Sequence, residues 1–274
     1  MPSRCRIAFS FMTQPSRRAL YDQAAARYDR ARPAYPEALF DDIQAFARLD
    51  ENARVLEVGC GSGQATLSLA RRGWQIDCIE LSERLAALAR GKLASYSNAR
   101  IINGDYDELQ LPAAYDLLVA ATSFHWLDPA TRFHKARGTL KAGGCIALFW
   151  HRPAMSQLSR ACMEILQSAY RDHAPSLAAQ WQPPPPPEQM PDEFSAPIAE
   201  SGCFQPAIVK RYPYNLSYSA AAYVDLLGSF SDHLALPAST REKLLTAIEK
   251  LINENCGGRV IREQVTTLYL ARRL

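Results

Sequence analysis

The sequence lacks the patterns typical of metal-binding, disulfide-rich and nucleic-acid-binding proteins. Its seven cysteines are scattered singly without a Cys-x-x-Cys pair, and its five histidines show no metal-ligand spacing. We therefore expect no metal site. An odd number of cysteines without framework spacing predicts reduced thiols in a cytoplasmic protein. A net charge of +3 is too small to indicate a nucleic-acid partner, which usually requires a concentrated basic face.

The N-terminal region has no hydrophobic run long enough to enter a membrane. The apolar stretch Ile7–Met12 is too short for a secretory or transmembrane segment, so we expect no membrane partner. The first 21 residues carry four arginines and no acid, which is also compatible with a transit peptide or with a dispensable leader before Met12. We predict that residues 1–18 form a disordered tail.

Residues 19–151 show the alternation of strands and helices that builds a parallel sheet. Hydrophobic content of 48% is ordinary for a globular protein with a full core. Five apolar runs separated by helical patterns are predicted strands: Val55–Val58, Gln75–Leu81, Arg100–Asn103, Tyr115–Ala121 and Cys145–Trp150. This order predicts a doubly wound α/β sheet. A helix over Pro129–Leu140 is expected to end at Gly143 and Gly144.

The pattern changes over residues 152–274. Three helices are predicted here, at Met155–Arg171, Ala220–Leu227 and Thr240–Asn253, with strands at Ala207–Tyr212 and Val260–Ala271. We interpret this part as a helical insertion over the substrate site, with strands that complete the sheet. The proline run that ends at Pro187 cannot join a sheet; a surface spacer is favoured over a partner-binding motif.

A glycine-rich turn follows the first predicted strand and is the best candidate for a ligand site. Gly59, Gly61 and Gly63 alternate before a helix that starts at Gln64, and Glu57 stands at the end of the strand. Glycine allows a tight turn whose backbone can lie against a ligand. The nicotinamide fingerprint Gly-x-Gly-x-x-Gly places its third glycine where this chain has Gln64.

The pattern Glu-x-Gly-x-Gly-x-Gly resembles motif I of the class I S-adenosylmethionine-dependent methyltransferases. The resemblance implies a Rossmann-like fold, with a seven-stranded, mostly parallel sheet that ends in an antiparallel C-terminal pair. It also implies S-adenosylmethionine as the cofactor, held in part by Glu57 and the three glycines.

Two further carboxylates are found at the carboxyl ends of the second and third predicted strands: Glu80 ends the second and Asp105 follows the third. Glu80 lies 21 residues after Gly59, where dinucleotide-binding folds place an acid that accepts hydrogen bonds from the ribose hydroxyls. Leu81 would then lie against the adenine ring. The resemblance implies that Asp105 accepts a hydrogen bond from the adenine amine and that the backbone N–H of Tyr106 reaches a ring nitrogen.

The segment after the fourth strand, Thr-Ser-Phe-His-Trp-Leu-Asp at 122–128, lacks the Asn/Asp-Pro-Pro-Tyr/Phe motif of exocyclic-amine methyltransferases. Its Phe-His-Trp resembles the methyltransferase type 11 branch, which includes the trans-aconitate methyltransferases. The segment from Tyr28 to Pro36 resembles the same branch, whose leading helix covers the cofactor, so we expect Tyr28, Arg32 and Ser123 at the cofactor. Arg32 could pair with the carboxylate of the cofactor or of the substrate, and the alternative is an arginine on the surface at a helix end. Candidate substrate contacts are Tyr21, Trp126, Trp150 and Tyr214.

His125 is a candidate general base, because its intrinsic pKa suits proton transfer near neutral pH. The alternative is that it packs against Trp126. We predict methyl transfer to an oxygen atom of a small molecule. A carboxylate is one such acceptor, and it would need no base. A nicotinamide-dependent oxidoreductase and a non-catalytic cofactor-binding or interaction protein are the alternatives. Nothing in the sequence predicts the oligomeric state.

Overall fold

The computed structural model describes residues 34–274, apart from the side chain of Ser231. The strands of these residues are β1 (Arg54–Val58), β2 (Gln75–Glu80), β3 (Ala99–Asn103), β4 (Tyr115–Ala121), β5 (Leu140–Ala154), β6 (Ile208–Ser219) and β7 (Arg259–Arg272). They form one sheet of order β3-β2-β1-β4-β5-β7-β6. The first five are parallel, and β7 is antiparallel to both β5 and β6. The predicted seven-stranded sheet with its antiparallel C-terminal pair is confirmed.

The helices of the described residues are α1 (Glu37–Ala47), α2 (Gln64–Ala70), α3 (Glu83–Lys92), α4 (Arg132–Thr139), α5 (Gln157–His173), α6 (Pro175–Ala178), α7 (Ser195–Glu200), α8 (Ala220–Leu227), α9 (Ser231–Leu234) and α10 (Ala238–Asn255). Short 3-10 turns occur at Phe124–Trp126 and Pro187–Gln189. Side chains alternate along β1, so Val55 packs with α1, α2 and α3, whereas Leu56 packs with α4 and α7 on the other face.

β5 is longer than predicted at both ends. α4 ends at Thr139 and β5 begins at the next residue, so Gly143 and Gly144 lie inside the strand; the prediction that they end the helix is wrong. The register of β5 against β4 shifts between Tyr115 and Leu117. A Cβ atom on Gly144 would lie 3.0 Å from the carbonyl oxygen of Lys141. Glycine therefore accommodates an irregularity in the strand.

The helices that follow β5 pack into a separate apolar cluster. Leu166 of α5, Tyr223 of α8 and both Leu244 and Ile248 of α10 are buried in it. The proline run is tied to the end of β5, because the N–H of Met155 donates to the carbonyl of Pro185 (3.1 Å). Whether these helices cover a substrate stays a prediction.

A disulfide joins Cys162 of α5 to Cys256, directly after α10, with a Cα–Cα distance of 5.6 Å. The prediction of reduced cysteines is wrong for this pair, because packing of α5 on α10 brings together cysteines that are 94 positions apart. The cytoplasmic prediction thereby loses the support of unpaired cysteines. Among the described helices, none is both long and apolar enough to span a membrane. The predicted tail over 1–18 lies outside the described residues.

Candidate functional site

A pocket opens at the carboxyl ends of the parallel strands, where open α/β sheets bind ligands. Seven of the predicted cofactor-binding residues line it: Gly59, Gly61, Glu80, Leu81, Asp105, Tyr106 and Ser123. Trp126, a predicted substrate contact, lines it as well. Tyr21, Tyr28 and Arg32 lie outside the described residues. In the described part of the chain, no cluster of three or more His, Cys, Asp or Glu side chains could hold a metal ion.

The glycine turn requires glycine for two different reasons. Gly59, Gly61 and Gly63 all have positive φ, at 70°, 58° and 83°, which side chains rarely adopt. A Cβ atom on Gly59 would also lie 2.6 Å from the Cβ atom of Ser123. A Cβ atom on Gly61 would meet no atom of residues 34–274 within 4 Å. The surface of the turn at Gly61 is therefore open toward the pocket that it lines.

Glu80, at the end of β2, is held in place by the backbone. Its Oε2 accepts a hydrogen bond from the N–H of Gly61 and its Oε1 from the N–H of Ser82, both at 2.8 Å. The residue is only 7% exposed. A carboxylate fixed in this way is an ordered acceptor at the pocket wall, as recognition of a ribose diol requires.

Asp105, which follows β3, has a buried acceptor atom without a hydrogen-bond partner in the part of the chain that the structure describes. Its Oδ1 accepts from the N–H of Asp107 at 2.9 Å, whereas Oδ2 has no hydrogen-bond partner among the described residues. Such groups are rare because an unpaired buried acceptor costs free energy. Burial also raises the pKa of Asp107 above its usual value. A ligand N–H donor, such as an exocyclic amine, fits Oδ2.

The lining of the described pocket is acidic. Glu80, Asp105 and Asp107 line it, and no lysine or arginine does so in the part of the chain that the structure describes. Carboxylates at close range favour a cationic ligand. The unpaired oxygen of Asp105, the open face of Gly61 and this charge together fit an adenosyl group that carries a sulfonium.

Glu57 lies beneath the glycine turn and does not line the pocket. It is fully buried, and its Oε2 accepts a hydrogen bond of 2.6 Å from the hydroxyl of Thr66 in α2. Burial raises its pKa to about 7, and the hydrogen bond from Thr66 only partly offsets this effect. Glu57 thus ties β1 to α2.

The segment directly after β4 has a strained backbone and is fixed by hydrogen bonds. Thr122 has φ 57°, a left-handed conformation that is costly for a β-branched residue. Its N–H donates to the carbonyl of Phe149 at 2.8 Å, and its hydroxyl lies 3.0 Å from the hydroxyl of Tyr35. Ser123 then donates to the carbonyl of Val58. These contacts fix the segment against the turn after β1.

His125 is exposed and does not line the pocket. Its Nδ1 accepts a hydrogen bond of 3.0 Å from the indole N–H of Trp150, and its ring lies 4.8 Å from that of Trp126. The ring of Trp150 is buried and stacks on Phe194 at 4.0 Å. This arrangement agrees with the alternative in which His125 packs against Trp126.

Tyr35, Thr122 and His151 also line the pocket, and sequence reasoning gave none of them a role of its own. Nδ1 of His151 lies 2.7 Å from the hydroxyl of Tyr214 and 2.9 Å from that of Thr266. The rings of His151 and Tyr35 stack at 4.0 Å. Tyr214, a predicted substrate contact, thus reaches the pocket wall through His151. The one feature of the sequence that could have indicated His151 is its position directly after the apolar strand predicted over Cys145–Trp150.

Comparison with known sequences finds methyltransferases that are similar to part of this chain. The family described as "Methyltransferase domain" matches residues 55–144. An uncharacterized methyltransferase of Mycobacterium tuberculosis is 29% identical over 48% of this chain and 51% of its own length. The malonyl-[acyl-carrier protein] O-methyltransferase of Geobacter sulfurreducens is 33% identical over 47% and 51%. The trans-aconitate 2-methyltransferase of Deinococcus radiodurans is 32% identical over 39% and 41%. The chain spans about half the length of these relatives or less.

Solved structures agree on the fold. A putative type II methyltransferase from Anaeromyxobacter dehalogenans superposes with a TM-score of 0.58 at 21% identity, over 88% of this chain and 96% of that one. The [4+2]-cyclase SpnF superposes with a TM-score of 0.53 at 17% identity, over 93% and 94%.

Residues 55–144 match the methyltransferase domain family, and the strand order agrees with the fold that the resemblance to class I methyltransferases implies. This part of the chain is thus similar to methyltransferases, in agreement with the resemblance that the glycine turn and the two carboxylates carry.

Proposed function

We propose that the protein is an S-adenosylmethionine-dependent methyltransferase that methylates an oxygen atom of a small molecule. The observation that carries this proposal is the pair of carboxylates at the ends of neighbouring strands. Glu80 is fixed by two backbone N–H groups, and Asp105 keeps one buried oxygen without a partner among the described residues. A ribose diol and an adenine amine would satisfy this pair.

Each residue has a defined task in this proposal. Glu80 accepts from the ribose hydroxyls, Asp105 accepts from the amine, and Gly61 leaves room for the backbone to approach the ligand. S-adenosylmethionine supplies a methyl group that is activated by a positive sulfur. The acidic lining favours that charge, and the protein otherwise aligns its two ligands and excludes water. Alignment of this kind supplies on the order of 7–11 kcal/mol in well-oriented systems.

The names of two relatives support oxygen as the acceptor atom. One is an O-methyltransferase of the malonyl-acyl carrier protein, and the other is a trans-aconitate methyltransferase. Both names refer to carboxylic acids, so carboxylates are the first acceptors to test. The family match and Gln64 disfavour a nicotinamide-dependent oxidoreductase. The absence of a nucleic-acid partner stays a prediction.

A labelled-methyl screen tests this proposal. The purified protein is incubated with methyl-labelled S-adenosylmethionine and a panel of carboxylic acids, phenols, alcohols and amines. We expect transfer to at least one oxygen acceptor. Transfer to amines alone would contradict the acceptor atom. Cofactor binding without transfer to any member of the panel would favour the non-catalytic alternative, which the shared fold of a [4+2]-cyclase makes worth testing.

A further inference from the structure

His151 lies at the opposite end of the pocket from the two carboxylates. Glu80 ends β2 and Asp105 follows β3, whereas His151 belongs to β5, and the strand order is β3-β2-β1-β4-β5. Neighbouring strands are about 4.8 Å apart, so the ends of β3 and β5 are separated by roughly 19 Å. A cofactor whose adenine lies near Asp105 therefore points its far end toward β4 and β5.

β5 continues past the end of β4 at this point. Ala121, the last residue of β4, pairs with Phe149, and the N–H of Thr122 donates to the carbonyl of Phe149. His151 follows Phe149 by two residues, so both side chains are on the same face of the sheet. This places His151 beside the strained end of β4, on the pocket wall.

Three contacts fix the orientation of the His151 ring. Tyr214 of β6 and Thr266 of β7 hold Nδ1, and Tyr35 stacks on the face of the ring with an angle of 8° between the planes. A hydroxyl can donate to a ring nitrogen or accept from it. The same two hydroxyls therefore hold the ring in either neutral tautomer, and Nε2 is a donor in one tautomer and an acceptor in the other.

We propose that His151 forms a hydrogen bond through Nε2 with the oxygen atom of the acceptor that becomes methylated or with its neighbouring carboxylate oxygen. This proposal rests on the proposed function. It places His151 at the acceptor and not the predicted base His125, which does not line the pocket and whose Nδ1 accepts a hydrogen bond from Trp150. Tyr214 and Thr266 are positioning residues, because they act through the ring.

Three substitutions separate the roles of the two nitrogens. His151→Gln places an amide near the position of Nε2, His151→Asn places one near Nδ1, and His151→Phe keeps the ring for stacking but removes both nitrogens. His134→Asn, at an exposed position on α4, is the matched control. Each variant is assayed for affinity to S-adenosylhomocysteine and for kcat and KM with the acceptor found in the screen.

We expect His151→Phe and His151→Asn to lower kcat/KM at least tenfold, with S-adenosylhomocysteine affinity within threefold of the wild type. His151→Gln should recover a substantial part of the loss. A carboxylate acceptor predicts an effect mainly on KM, and a hydroxyl acceptor predicts one mainly on kcat. The proposal is overturned if His151→Phe keeps kcat/KM within threefold, if Asn rescues and Gln does not, or if His125→Asn alone abolishes turnover.

Imidazole NMR spectra give a readout that needs no turnover. The complex of the protein with S-adenosylhomocysteine is titrated with benzoate and with phenol, and the histidine ring nitrogens are observed. We expect the His151 signals to shift with at least one probe while those of His134 stay in place. If signals of other pocket residues show that both probes are bound to saturation and the His151 signals do not change, the proposal is overturned. Failure of the wild type to bind S-adenosylhomocysteine would instead overturn the proposed function.

Discussion

Gly59 and Ser123 are packed so closely that no side chain fits between them: a Cβ atom on Gly59 would lie 2.6 Å from the Cβ atom of Ser123. Ser123 also donates a hydrogen bond to the carbonyl of Val58, the residue before Gly59. The turn after β1 and the segment after β4 therefore fix each other, and both line the pocket.

Substitution of two glycines should separate stability from ligand binding. Gly59→Ala introduces both a clash and an alanine at positive φ, so we expect a loss of about 2–4 kcal/mol in the free energy of unfolding. Gly61→Ala has the same φ problem without the clash, so we expect a loss of about 1 kcal/mol and a large loss of S-adenosylhomocysteine affinity. Urea denaturation and calorimetry measure the two effects. Equal stability of the two variants would contradict this account.

Asp105 should discriminate between adenine and hypoxanthine. In S-inosylhomocysteine the exocyclic amine is replaced by a carbonyl, which cannot donate to a carboxylate. The wild type should therefore prefer S-adenosylhomocysteine by at least tenfold, because a mismatched buried acceptor is costly. Asp105→Asn should reduce this preference, since an amide can turn its NH2 toward the carbonyl.

The control for Asp105 is Glu83→Gln, which removes an exposed ion pair with Arg90 on α3 and should leave the preference unchanged. An Asp105→Asn variant that discriminates as strongly as the wild type would show that another group contacts the amine.

The buried carboxyl of Glu57 should make stability depend on pH. Its pKa rises from 4.5 to about 7 on folding because of burial. The folded state therefore keeps a proton that the unfolded state releases, and the free energy of unfolding falls as the pH rises from about 4.5 to 7. At about 1.4 kcal/mol per pKa unit, wild type should lose about 2–3 kcal/mol between pH 5 and 8. Glu57→Gln should lack this loss. Urea denaturation at several pH values measures the free energy of unfolding of both proteins, and the same pH dependence in both would contradict the raised pKa of Glu57.

The Cys162–Cys256 disulfide should stabilise the helical layer. It links cysteines 94 positions apart, and such links typically contribute about 2–4 kcal/mol. Cys162→Ser should lower the melting temperature in oxidising buffer, whereas reductant should remove the difference from the wild type. Alkylation of the native protein followed by mass spectrometry provides the check: modification of both cysteines without prior reduction would argue against the disulfide.

The cofactor side of the pocket was predictable because its determinants are local in sequence. Gly59, Gly61, Glu80 and Asp105 each lie at or just after the carboxyl end of a predicted strand, and the carboxyl ends of parallel strands meet at one edge of the sheet. The strand order then brings them together without further information. Glu57 belongs to the same motif, yet its place beneath the turn depends on Thr66 in the next helix.

The acceptor side was not predictable for the opposite reason. The surroundings of His151 come from Tyr214 and Thr266, which are 63 and 115 positions away and reach it only through the antiparallel pairing of β5, β7 and β6. The boundary of β5 was also set too early, so His151 was left out of the strand. Apolar runs locate buried strands. They do not show how far a strand continues beyond its apolar part, or which side chains of neighbouring strands contact it there.

Calorimetric titration of the wild type and of Glu80→Gln with S-adenosylhomocysteine tests the central claim most directly, with NADH as the competing ligand. We predict binding of S-adenosylhomocysteine to the wild type, at least tenfold weaker binding to Glu80→Gln, and no binding of NADH at the same concentrations. Folded wild-type protein that binds no S-adenosylhomocysteine at millimolar concentration, or that binds NADH instead, would contradict the account.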